Sequence, residues 1–162
     1  MVSQPPYGYI TPSVGSTAPA NPTAPNSTSA FQMQGVGQVI SPSTPAANIL
    51  ALFSATLNDG ATTVGEGVIL QLYYGPVLNG IALPTVNTAI PASAIALGTT
   101  LEWASGVTLT TAADSFIPIT LFGLAKALTP GQQYWFDVAA KSVIGASQVA
   151  LLNINFSLIE IG

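Results

Sequence analysis

Three features of the sequence predict an all-β fold, an antiparallel β-sandwich of jelly-roll type preceded by an extended proline-rich arm. Apolar and polar residues alternate in short runs from residue 31 onward, which is the period of a strand. Those runs are separated by turn-forming breaks such as Asn58-Asp59-Gly60 and Thr129-Pro130-Gly131, and outside residues 76–113 no stretch has helical periodicity. Seven or eight strands in about 130 residues suit two packed antiparallel sheets, and a jelly roll is the common way for one chain to close them.

The arm comes first. Residues 1–30 hold Pro5, Pro6, Pro12, Pro19, Pro22 and Pro25 among Ser, Thr, Ala and Asn, with no charge. Proline fixes φ and removes backbone donors, so this stretch is expected to be extended or irregular, without a core of its own. Two readings stay open. One is a plain tail or linker; the other is an arm that orders by lying on a neighbouring subunit, for which Tyr7, Tyr9 and Ile10 would be the anchors.

Residues 31–162 form the domain. In "FQMQGVGQVI", Phe31, Met33, Gly35, Gly37 and Val39 share one face, a strand with glycines where another backbone comes close. "SPSTPAA" breaks it, and "NILALFSATLND" is the next strand, closed by the Asn-Asp-Gly turn. "GVILQLYYG" is a further strand between glycines. Residues 76–113 mix turn signals with short apolar pieces, and "TTLEWASGVTLTT" reads as one strand or two. "SFIPITLFGLAKAL" is a long strand in which Pro118 calls for an edge position or a bulge. "YWFDVAAKSV" and "QVALLNINFSLIEIG" complete the set.

Charged residues make up 5% of the chain, two Lys and six Asp or Glu. That excludes an electrostatic nucleic-acid binder and a polybasic membrane binder, and the apolar stretch 67–101 is cut too often by Gly, Pro and Asn to span a bilayer. A chain of this size exposes about 7,500 Å² when folded alone, more than eight charged side chains cover. Much of the surface is therefore expected to be buried against copies of the chain or a larger assembly.

Chemistry is sparse. His and Cys are absent, which removes the commonest general base, thiolate chemistry and disulfides. Lys141 and Ser142 are adjacent on a strand and point to opposite faces, so they cannot form a dyad. No carboxylate spacing favours a glycosidase pair, and Asp59 and Glu66 flank a turn without a calcium-loop pattern. No catalytic, cofactor-binding or metal-binding residue is expected, and the chain reads as a non-enzyme. In "YWFD", alternation sends Tyr134 and Phe136 to the core and Trp135 and Asp137 to the opposite face, which suits a trimer interface or core better than a stacking platform. On that reading Trp135→Ala weakens assembly more than folding, and Phe136→Ala damages the fold.

The order of "FQMQGVGQVISPSTPAANILALFSATL", "GEGVILQLYYG", "FIPITLFGLAKALTPGQQYWFDVAAKSV" and "VALLNINFSLIEIG" resembles the small trimeric jelly-roll domains, akin to the tumour-necrosis-factor and complement-type fold, of tailed-bacteriophage structural proteins. The resemblance spans residues 31–162, with "FQMQGVGQVISP", "LYYG" and "LTPGQQYWFDVA" as its most specific pieces. It implies a homotrimer located on the virion, a capsid decoration or cement protein contacting the major capsid protein or another virion protein, with no cofactor. An alternative it also allows is a head- or tail-fibre tip that binds a host glycan through loops such as that around Trp103. The apolar insert between Pro76 and Ile95 departs from the family pattern.

Overall fold

The computed structural model describes residues 10–11, 16–22, 24–25, 27–45, 47–59, 64–78, 83–104, 115–144 and 149–161, and among these there is no helix. The strands are β1 (Ile10–Thr11), β2 (Ser16–Thr17), β3 (Gln32–Met33), β4 (Gln38–Ile40) and β5 (Ala47–Asp59). They continue with β6 (Gly67–Pro76), β7 (Ile95–Ala104), β8 (Ser115–Leu128), β9 (Tyr134–Ser142) and β10 (Val149–Ile161). Sheet A has the order β1-β10-β5-β8 with β2 also on β10; sheet B has the order β3-β9-β6-β7 with β4 also on β9.

All pairings are antiparallel and nested. β1 and β2 pair with β10, β3 and β4 with β9, β5 with β8, and β6 with β7, each pair enclosed by the previous one along the chain. Contacts of β10 with β5 and of β9 with β6 then join the pairs into two sheets.

Alternation builds the core. β5 turns Ile49, Ala51, Phe53, Ala55 and Leu57 inward, β10 adds Leu151, Ile154, Phe156 and Leu158, and β6 and β9 supply Leu70, Leu72, Phe136 and Val138 from the other sheet. Phe53 and Phe156 pack with ring centroids 6.0 Å apart, and Tyr74 stacks on Phe136 at 5.4 Å. Phe53, Phe136 and Phe156, all fully buried, each contribute roughly 1.5–3 kcal/mol of hydrophobic stabilisation.

Pro118 lies where its missing donor does least harm, on β8 at the edge of sheet A, opposite Thr56. "FQMQGVGQVI" is two short strands on β9 rather than one. The break falls at Gln34–Gly37, with Gly35 at φ +64, and the expected close backbone approach is at Gly37, where an added Cβ would overlap the Phe136 carbonyl. Within the uncertain middle, residues 95–104 are a single strand.

Part of the proline-rich segment is laid on the domain. β1 and β2 cover the edge of β10, while the Ser142 hydroxyl donates to the Pro25 carbonyl at 2.7 Å and the Ser142 N–H to the Ser27 carbonyl at 2.8 Å. Tyr7 and Tyr9 lie outside the described residues; Ile10 is placed by its backbone, opposite Ile161.

Candidate interaction surfaces

The outer face of sheet A carries an apolar patch at one end, next to a polar stretch of Ser54, Thr56, Thr120 and Asn155. Leu50 of β5 sits opposite Leu124 of β8 on one side and Ile159 of β10 on the other; Leu52 sits opposite Phe122 and Ser157. Phe122 is 68% exposed and Leu124 40%, and Phe116 lies further along the same strand face at 60%. No charged residue interrupts positions 50–58, 116–124 or 150–159. Phe122 and Leu124, with Leu50, Leu52 and Ile159 beside them, form the kind of patch that a protein interface leaves bare in the isolated chain, and Thr120 and Pro118 separate it from Phe116. Sequence reasoning passed over this patch. Its signal was present in β8, where Ile117, Ile119 and Leu121 alternate with Phe116, Phe122 and Leu124, so that both faces are apolar.

The outer face of sheet B is closed by the chain itself. Trp135, Met33 and Ala139 form a second buried cluster, packed by Phe31, Val39, Tyr73, Val77, Leu83, Ile90 and Ala94. The insert that the sequence left unassigned is thus a cover over β9 and β6, tied down by Met33 N–H to the Thr88 carbonyl and Asn87 N–H to the Met33 carbonyl, both 2.8 Å. Alternation places Trp135 and Asp137 correctly on the face opposite Phe136. Within the single chain Trp135, 3% exposed, is buried in this cover, and Asp137 is fully buried against the Gly35–Val36 backbone. Tyr134 is half-buried against the main core. Trp103 also packs on that core, partly buried, from the end of β7. Beside Trp135, Pro76, Leu78, Pro84, Pro91 and Ser93 line a cavity of about 100 Å³.

Two carboxylates serve as latches. Asp137 and Lys141 do not meet: the Lys141 ammonium lies 5.0 Å from the Phe31 ring centroid, a cation–π contact. Asp137 Oδ2 accepts the Gly35 N–H at 2.9 Å, and Oδ1 accepts those of Val36 at 3.0 Å and Val138 at 2.8 Å. Burial without a counter-ion pushes its carboxyl from an ordinary 3.8 to about 7, against the pull of those N–H donors. Glu160 of β10 accepts from Ser43 N–H at 2.8 Å, Thr44 N–H at 2.9 Å and both hydroxyls, fastening the β4–β5 connection to sheet A. Burial pushes that carboxyl up, but the four hydrogen bonds together hold it below its usual range. Tyr73, opposite Asp137 on β6, has its phenol pushed up by burial and stays neutral.

The two shifts have opposite signs in pH. Between about 4 and 7 folded Asp137 holds a proton that the unfolded chain releases, so stability falls as pH rises through this window and levels off above it. Glu160 contributes stability that is present above its unfolded value near 4.5 and is lost as pH falls through its lower folded value. The melting temperature is therefore expected to peak at about pH 4 to 4.5 and to drop by several degrees by about pH 7; Asp137→Asn, which cannot titrate, should flatten the decline. A profile of wild type that rises from pH 5 to 8 would contradict the assignment.

Among the described residues no three metal-ligating side chains come together. No protein-family model matches the chain, and no curated protein matches it. Among solved structures, it is similar to a chain of the T13 particle of infectious bursal disease virus, at 14% identity over 93% of this chain and 40% of that one, with a TM-score of 0.22. It is similar also to a chain from the Gx strain of the same virus, at 13% identity over 92% of this chain and 42% of that one, with a TM-score of 0.20. The chain spans about two fifths of the length of those proteins, and such scores lie well below those of chains that share a fold.

Proposed function

We propose that this chain is a virion structural protein: a jelly-roll domain that forms a homotrimer and decorates a phage head, adding interface to the shell. The nested pairing of β1/β2 with β10, β3/β4 with β9, β5 with β8 and β6 with β7 supports the jelly-roll reading, since a jelly roll is one long hairpin folded over itself. The observation that carries the trimer is the exposed apolar patch on sheet A, centred on Leu52, Phe122 and Leu124. Three copies packed on that face would remove the exposed rings from water, and the scarcity of charge on the rest of the chain fits a particle-bound life. Tyr7, Tyr9 and Ile10 are assigned as the contacts to the major capsid protein or another virion protein. The half-buried state of Trp103 weighs against a glycan-binding tip built around it.

Light scattering with Phe122→Asp and Leu124→Asp tests the trimer. Wild type is expected at three times the chain mass and the double variant at one, with an unchanged melting temperature of the monomer because both side chains are exposed. A wild-type monomer in dilute buffer, or a double variant that stays trimeric, removes the interface. Removing residues 1–9 should leave the trimer intact and abolish its co-sedimentation with particles; undiminished retention refutes the attachment role.

A further inference from the structure

We propose that the Asp137 carboxyl group is the catch of a pH-operated lid: as it gains its charge, the 34–37 loop lifts and releases the 83–94 segment from Trp135. Catch and lid are in contact through that loop. The Gly35 N–H reaches the carboxyl group at 2.9 Å and the Val36 N–H at 3.0 Å, and the group beneath them is fully buried. The same loop carries the lid, since a Cβ on Gly35 would come within 3.0 Å of the Val86 nitrogen and 3.5 Å of the Pro84 carbonyl oxygen. Next to it Gln32 faces Ala89, the Met33 N–H donates to the Thr88 carbonyl and the Asn87 N–H to the Met33 carbonyl. Whatever lifts the loop therefore pulls on the segment that closes over Trp135.

No cation balances the charge in the closed form. On β9 itself Lys141 is four residues further along, with its ammonium held over the Phe31 ring. On β6 Tyr73 faces Asp137 with a phenol that burial keeps neutral. β3, β4, the loop between them and residues 83–94 contain no ionisable side chain. The charged carboxylate can thus be relieved only by water, and water reaches it when the loop lifts. With the loop down the carboxyl group titrates at about 7; with the loop lifted it returns towards 3.8. Closure is fully favoured below the lower value and is lost as pH rises through the upper one, with the open-to-closed ratio growing by up to roughly a thousandfold. Opening stays local, because Phe136 and Val138 face the main core and β9 remains paired with β6. It uncovers Trp135, Met33 and Ala139, an apolar floor that the closed chain hides.

The lid operates within one chain and needs neither the trimer nor a particle, so its test is independent of both. Amide hydrogen exchange of the full chain, followed by NMR from pH 4.5 to 8 and corrected for intrinsic rates, reads the opening directly. The Met33 and Asn87 amides are expected to lose protection by roughly a hundredfold across that range. At every pH they should exchange faster than the amides between β5 and β10 and respond less to low urea, since lifting the lid exposes far less surface than unfolding the chain. Asp137→Asn cannot gain charge and should hold the protection of both amides level. Protection in wild type that does not change with pH overturns the proposal. So does exchange of Met33 and Asn87 at the rate and urea dependence of the β5 and β10 amides, which would mean that only whole-chain unfolding frees them. A folded Asp137→Asn chain that keeps the pH slope overturns the assignment to Asp137; if that variant does not fold, the two wild-type readings decide.

Discussion

Phe136→Ala is expected to lower the unfolding free energy by about 3–5 kcal/mol, and Trp135→Ala by a similar amount. Neighbours on one strand usually differ sharply in such a test, since one faces the core and the other faces water. β9 is the middle of sheet B with a cover on its second face: Phe136 is enclosed by Tyr74, Leu72 and the opposite sheet, and Trp135 by Met33, Val39 and the 83–94 segment. The indole lies flat enough on Gly75 that a Cβ there would come within 2.8 Å of it, so little slack remains to refill the cavity left by truncation. Urea titration of the two variants in dilute buffer measures the pair. A Trp135→Ala chain that unfolds like wild type but loses its oligomer would return Trp135 to a subunit boundary.

Gly37→Ala is the second large effect. The new methyl group would occupy the position of the Phe136 carbonyl oxygen, and neither partner is the flexible tip of a side chain that can step aside. Relief requires β4 to lift from β9, which breaks the pairing of Gln38 with Phe136 and moves the Val36 and Gly35 N–H groups away from Asp137. The carboxylate then stays buried with fewer donors, so the loss should exceed the roughly 1–3 kcal/mol of ordinary overpacking. Thermal melting gives the size of the loss, and hydrogen exchange at Gln38–Ile40 shows where it falls. Exchange there as slow as in wild type would mean that the strand accommodates the methyl group in place.

Strand periodicity made most of the fold legible. The long runs at 47–59, 67–76, 115–128 and 149–161 alternate over enough residues for the pleat to show, and Pro118 announced its own edge position. The insert did not announce itself, because it is held by single backbone bonds such as Met33 to Thr88 and by apolar contacts to Trp135, neither of which has a period. Alternation gave the side of each residue in "YWFD" but not what covers that side, which depends on a segment more than 40 positions away. The Asp137 and Glu160 latches were hidden for the same reason. Asp137 is held by backbone N–H groups, which no side-chain motif records, and the Ser43 and Thr44 groups that hold Glu160 lie more than 100 positions away from it.

The nested order of strands also fixes the sequence of events in synthesis. β6 and β7 can pair as soon as both have left the ribosome, but β10 lies between β5 and the β1/β2 edge, so sheet A stays in two pieces until the 13 residues of β10 emerge. β1 and β2 wait for β10, while the apolar faces of β5 and β8 stand open. Such long-range closure is slow and vulnerable to wrong pairing. A chain with so few charges has little repulsion to keep waiting copies apart, so the rate at which β10 arrives sets how much of the product folds before it aggregates.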